Sequence, residues 1–176
     1  TDKEPETLYN KVDQNLFYPI TNKKTNAKPQ IISVGNLIEE KNHQCIIEAM
    51  KEIDAKLTII GKGELHEKLM TLIQKQSLEK KIEIISSIPH EKIAEYYKNA
   101  DIFVLAYNPK IESIPMPVME SMSCGLPVVI PKSPKGFSTG LEKFAITAER
   151  NPESFRNKIN FILNNNEELR KFADKS

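Results

Sequence analysis

The sequence predicts a doubly wound α/β fold, a parallel sheet of about six strands with helices on both faces. From Gln30 onward, short β-branched runs alternate with amphipathic stretches, the pattern that βαβ units leave in a sequence. The strands read as apolar on both faces, and every crossover is long enough to hold a helix. Right-handed connections and a sheet covered on both sides follow.

Taken in order, Ile31-Ile32-Ser33-Val34, Leu57-Thr58-Ile59-Ile60, Ile82-Glu83-Ile84-Ile85, Ile102-Phe103-Val104-Leu105 and Val128-Val129-Ile130 read as strands. Between them, apolar residues recur at spacings of three and four: Ile46, Ile47 and Met50, then Leu65, Leu69, Leu72 and Ile73, then Ile93, Tyr96 and Tyr97. Such stretches are one-sided helices. A further helix starts near Pro115 and stops at Cys124-Gly125-Leu126-Pro127, since proline suits a first helical position and glycine a C-terminal cap. Residues 1–29 are polar and broken by Pro5, Pro19 and Pro29, with Thr21 to Asn26 as exposed loop. They are expected to form a lead-in outside the core, and residues 30–176 the domain itself. Asn164-Asn165-Asn166 is expected to be a helix-end loop before a final short helix.

Composition narrows the function classes. A chain of 176 residues supports one well-packed domain. Twenty-five Lys+Arg nearly cancel twenty-four Asp+Glu, so the global field gives no reason to expect nucleic acid or an anionic membrane as the main partner. Cys45 and Cys124 lie far apart without a third cysteine, and buried free thiols are expected in place of a disulfide or metal site. No apolar run approaches the roughly 20 residues that span a bilayer, and Thr1 to Pro5 lacks a signal-peptide pattern. A cytoplasmic setting is the expectation.

Sheets of this kind bind ligands beyond the carboxyl ends of their strands. Gly35 to Asn42, Gly61 to Glu64, Ser86 to His90, Ala106 to Pro117 and Pro131 to Gly140 are therefore the loops to examine. In the first, the amides of a following helix and the mobile charge of Lys41 favour an anion. Lys41 is either a clamp on a diphosphate or a solvated surface lysine. No GxGxxG fingerprint follows the strand, which argues against a dinucleotide-dependent dehydrogenase. Gly61 and Gly63 permit either close approach of a ligand or an ordinary tight turn. Glu112 and Glu120 are separated by seven residues across a loop-to-helix junction. Carboxylates accept hydroxyl hydrogen bonds, and a ribose diol matches one carboxylate. Glu120 is either on a solvated face or, given Val118, Met119 and Met122 around it, a carboxylate in a largely buried helix that wants a partner. His43 and His90, near helix starts, are expected to be solvent-exposed or capping.

Several of these segments, in this order, resemble a known family. Val34-Gly35-Asn36-Leu37 with Lys41, Gly61-Lys62-Gly63, Tyr96 to Val104, and Glu112 to Glu120 running into Ser121 to Val129 are similar to the C-terminal domain of retaining GT-B glycosyltransferases of the glycosyl transferases group 1 type. Tyr9 to Pro19 is similar to the family's N-G-V-D-x-x-x-F-x-P segment at the start of that Rossmann-like domain. The resemblance runs from about Tyr9 to Asn166.

It implies that Lys41 contacts the diphosphate of a nucleoside-diphosphate sugar, Glu112 the sugar hydroxyls and Glu120 the ribose. Gly35, Asn36, Gly61, Ser113 and Ile114 would line the donor site, with the main chain from Ser86 to Ile88 on the base edge. Lys41 and Glu112 would be the catalytic pair, with no metal and no further cofactor. The acceptor, a glycan, lipid or small molecule, would bind through an absent N-terminal half. Transfer by this chain alone is not expected. The same resemblance implies a role in cell-envelope or glycan biosynthesis and leaves room for peripheral association with the inner face of the membrane through that half.

Three departures bear on phosphate binding. Asn36 stands where the family commonly has arginine, so one diphosphate charge is missing or must come from elsewhere, such as Lys62, Lys132 or Lys135. Pro115 stands where a glycine often gives a backbone N–H, which proline lacks. Ser133-Pro134-Lys135 replaces a glycine pair. These motivate the alternative of a non-catalytic module that keeps the fold and binds a partner protein.

Overall fold

The computed structural model describes residues 11–20, 26–135, 140 and 143–165. Its strands are β1 (Gln30–Val34), β2 (Lys56–Ile60), β3 (Ile82–Ile85), β4 (Ile102–Val104), β5 (Val128–Pro131) and β6 (Ile146–Ala148). They form one parallel sheet in the order β3-β2-β1-β4-β5-β6. The helices are α1 (His43–Ala49), continued by a 3₁₀ turn at Met50–Glu52, then α2 (His66–Lys75), α3 (His90–Asn99), α4 (Met116–Ser123) and α5 (Pro152–Asn164).

Alternation along each strand splits the core into two layers. Ile31, Leu57, Ile59, Ile102, Val104 and Val129 face one way, onto α1, α2 and α5. Ile32, Val34, Phe103, Leu105, Val128 and Ile130 face the other, onto α3 and α4. Both faces are thus covered, as the expected doubly wound fold requires.

The lead-in departs from expectation. Phe17 is only 2% exposed and belongs to the second layer, with Val12 and Leu16 packed beside it. Among the described residues this face carries two helices, α3 and α4, and these side chains pack with them in the second layer, so this part of the lead-in is core. Pro19 lies against Gly125, whose φ of +74° caps the end of α4. Tyr9, Asn10 and Thr21 to Thr25 lie outside the described residues, as do Asn166 with the final short helix, and residues 136–139 of the loop after β5.

The direction of the crossovers positions the site. From β1 the chain moves to β2 and β3, then returns past β1 to place β4 on its other side. The point where the order reverses lies between β1 and β4, and loops leaving the carboxyl ends of two such strands diverge to form a crevice.

Candidate functional site

The loop after β1 is braced by the loop after β2. Gly35 N–H donates to the Ile60 carbonyl (3.0 Å), Leu37 N–H to the Lys62 carbonyl (2.9 Å), and Leu65 N–H to the Leu37 carbonyl (3.0 Å). Leu37 is fully buried at this junction. A β-carbon at Gly61 would collide with the Gly35 carbonyl oxygen, and one at Gly63 with that of Leu37. The close approach these glycines permit is thus of one loop to another. Asn42, in the left-handed region at φ +50°, caps α1 by accepting from Cys45 N–H (3.4 Å).

The same loop is tied to the far side of the crevice. Asn108 N–H donates to the Glu40 carbonyl (2.8 Å). Arg150, just after β6, donates from Nε to the Ala106 carbonyl (2.8 Å) and from Nη2 to the carbonyls of Glu39 (3.2 Å) and Glu40 (3.3 Å). No periodicity or motif pointed to Arg150.

Lys41 and Glu112 meet across this junction. The ammonium pairs with Oε2 of Glu112, and the Lys41 side chain is only 12% exposed. Its stem lies over Gly35, where a β-carbon would touch Lys41 Cδ at 3.5 Å. Neither a mobile charge nor a solvated lysine describes it. An ammonium and a carboxylate joined at the switch point can receive an anion and a hydroxyl once they separate.

Glu120 sits in α4, 4% exposed. Tyr97, fully buried, donates its hydroxyl to Oε2 of Glu120 (3.3 Å). His90 Nε2 lies 2.8 Å from Oε1. Burial, then the Glu120 charge and hydrogen bond, pushes the Tyr97 phenol well above its ordinary value, which keeps it a neutral donor. His90 is the first residue of α3, immediately after the loop from β3, so Glu120 lies along the same carboxyl edge as the Lys41–Glu112 pair. The partner that a buried carboxylate requires was foreseeable. That it is Tyr97 was not, because Tyr97 counted only as an apolar helix position.

His43 corrects an expectation. It neither caps α1 nor reaches solvent: it is 1% exposed, with Nδ1 3.2 Å from Ser33 Oγ. Burial lowers its pKa from about 6.5 to about 4. The backbones of Gly35 and Asn36 oppose that shift and Lys41 adds to it, but neither backbone makes a well-formed hydrogen bond to Nε2. A neutral imidazole therefore underlies the loop that carries Lys41. His90, in contrast, is exposed, with a specific partner in Glu120.

The remaining candidates line the edge without joining either cluster. Asn36 is exposed. Ser113 is exposed, and its carbonyl accepts from Tyr107 Oη (3.4 Å); Ile114 is half-buried, and Pro115 is buried as the cap of α4. Ser86 is exposed with its hydroxyl 3.5 Å from His66 Nε2, while Ile88 packs on the second core layer. Lys62 and Lys135 are exposed, and Lys132 lies 3.6 Å from Glu149.

The sequence model for glycosyl transferases group 1 matches residues 17–176. The amylovoran biosynthesis glycosyltransferase AmsK of Erwinia amylovora is 35% identical over 135 residues, 72% of this chain and 31% of its own length. This chain spans about a third of the length of such curated relatives. The C-terminal domain of the group 1 family protein LpcC of Francisella tularensis matches with TM-score 0.77 at 22% identity, covering 93% of both chains. Anabaena HepE, solved with UDP-glucose, matches with TM-score 0.78 at 17% identity over 96% of this chain and 50% of its own. No helix among the described residues is long and apolar enough to cross a membrane.

Proposed function

This chain belongs to the glycosyl transferases group 1 family, and from that premise we propose that it is the donor-binding domain of a retaining glycosyltransferase. The full-length protein would transfer a sugar from a nucleoside diphosphate to a glycan, lipid or small-molecule acceptor held by its other half. One observation carries the reading: Lys41 and Glu112, 71 positions apart, meet where the strand order reverses, with Glu120 further along the same edge. Lys41 would swing from Glu112 to the diphosphate and stabilise the charge that develops as the glycosyl bond breaks. Glu112 would then be free to accept from the sugar hydroxyls, and Glu120 would take the ribose.

The donor half of the reading is supported by Anabaena HepE, whose fold this chain shares and which is solved with UDP-glucose. The test is sugar transfer by the full-length protein carrying Glu112→Ala or Glu120→Ala. Loss of transfer by a variant that remains folded, as judged by a cooperative melting transition, supports the proposal; unchanged transfer sinks it.

A partner-binding module without catalysis is favoured by one observation, that Lys41 is already neutralised by Glu112 while Asn36 supplies no charge beside it. Calorimetry on the full-length protein separates the two: UDP, GDP and ADP all failing to bind at millimolar concentration would favour the module.

A further inference from the structure

Glu120 is where the proposed function puts the ribose, yet its carboxylate is closed to a ligand as it stands. Its side chain is 5% exposed, with one oxygen held by Tyr97 and the other by His90. The two partners differ in their freedom. Tyr97 is fully buried, its ring edge-on to Phe103 with centroids 5.9 Å apart, and is fixed by the core. The His90 side chain is 57% exposed. As the first residue of α3 it has no preceding helical turn to exclude a side-chain rotamer. Its ring rests on Phe17, centroids 5.3 Å apart at 58°, and Phe17 is itself held 6.0 Å from Tyr97. His90 therefore lies as a movable ring between a fixed aromatic support and a buried acid.

We propose that His90 is a stand-in for the ribose: it occupies Oε1 of Glu120 and swings outward when the vicinal diol of a nucleoside diphosphate takes its place. The exchange preserves hydrogen bonding to a buried charge at every stage, which matters because an unpartnered buried carboxylate is costly. It also makes His90 a determinant of how strongly the site prefers ribonucleotides. The diol, with two donors, can replace the single donor of the imidazole, whereas a sugar lacking both hydroxyls cannot.

This inference rests on the assignment of Glu120 to the ribose, and the experiment keeps the two apart. The full-length protein and its His90→Ala, His90→Gln and Glu120→Gln variants are titrated calorimetrically with UDP, GDP and ADP, and with the 2′,3′-dideoxy analogue of whichever binds. His90→Ala should tighten the ribonucleotide by about three- to tenfold, the range one hydrogen bond in water contributes, and leave the dideoxy analogue within twofold. His90→Gln keeps a donor for Glu120 and should stay near the unsubstituted protein. Weaker ribonucleotide binding by His90→Ala, or an equal change for both ligands, would overturn the proposal. If Glu120→Gln leaves the preference for the ribonucleotide intact, the ribose assignment itself falls, whatever His90 does. Absence of binding by all three nucleotides removes both.

Discussion

Lys41 leaves the loop after β1 and Glu112 the loop after β4, and their side chains pair across the point where the sheet reverses its strand order. The pair is partly buried on the lysine side, so each charge is compensated before any ligand arrives. A diphosphate must compete with Glu112 for the ammonium. Replacing Glu112 by Gln should therefore tighten the nucleoside diphosphate that lacks a sugar, by about two- to tenfold, as expected for removing one partly screened competitor. Lys41→Met should weaken it by at least as much. Calorimetry at two salt concentrations checks both. Equal affinities in all three proteins would show that the pair stands outside the binding site.

Buried His43 should make the domain acid-sensitive. Its folded pKa of about 4 lies below the unfolded value near 6.5, so between those pH values the unfolded chain binds the extra proton. Stability then rises with pH through this window and is lost as pH falls, by up to about 3 kcal/mol for this one group. Urea midpoints from pH 7 to pH 4 should show that slope, and His43→Gln should flatten it. A slope unchanged by the substitution would contradict the burial of a neutral ring.

Gly61→Ala should damage both stability and binding. The added methyl would strike the backbone oxygen of Gly35, and backbone cannot yield as a flexible side chain does. The expected cost is about 1–3 kcal/mol, a fall in Tm of roughly 3–10 °C. Because Gly35 lies beneath Lys41, nucleotide affinity should drop as well. A melting curve that overlays the parent would show that the loops are not in contact.

Neither cysteine should react in the native state. Burial pushes the Cys45 thiol up to about 12 and that of Cys124 up to about 11, and only the thiolate attacks. A chromogenic disulfide reagent at pH 8 should label fewer than one thiol per chain until denaturant is added, then two. Immediate labelling of either would contradict its place in the core.

Much of this was legible in the chain, for identifiable reasons. Five strands showed because β-branched runs such as Leu57 to Ile60 stand between one-sided helices. The sixth, Ile146–Ala148, is three residues long and follows no such run. Phe17 was missed because the polar residues around it, Asp13, Gln14 and Asn15, outweighed one aromatic. His43, between Asn42 and Gln44, read as surface, since burial there depends on Ser33 across the helix–sheet interface. Glu112 and Glu120 were visible through their spacing at a helix start. Lys41 was placed at the same site by the resemblance, but its direct pairing with Glu112 was not foreseen, nor were Tyr97 and His90 as partners of Glu120, because these side chains come from other elements; Arg150 likewise reaches its carbonyl acceptors from 44 to 111 positions away. Contacts of that kind carry no local period.

Crystals soaked separately with UDP, GDP and ADP show whether the carboxyl edge of the sheet is a nucleotide site. One nucleotide is expected at the carboxyl edge of the sheet, with its diphosphate against Lys41 and its ribose hydroxyls on Glu120. A nucleotide seated anywhere else, with the Lys41–Glu112 pair undisturbed, would contradict it.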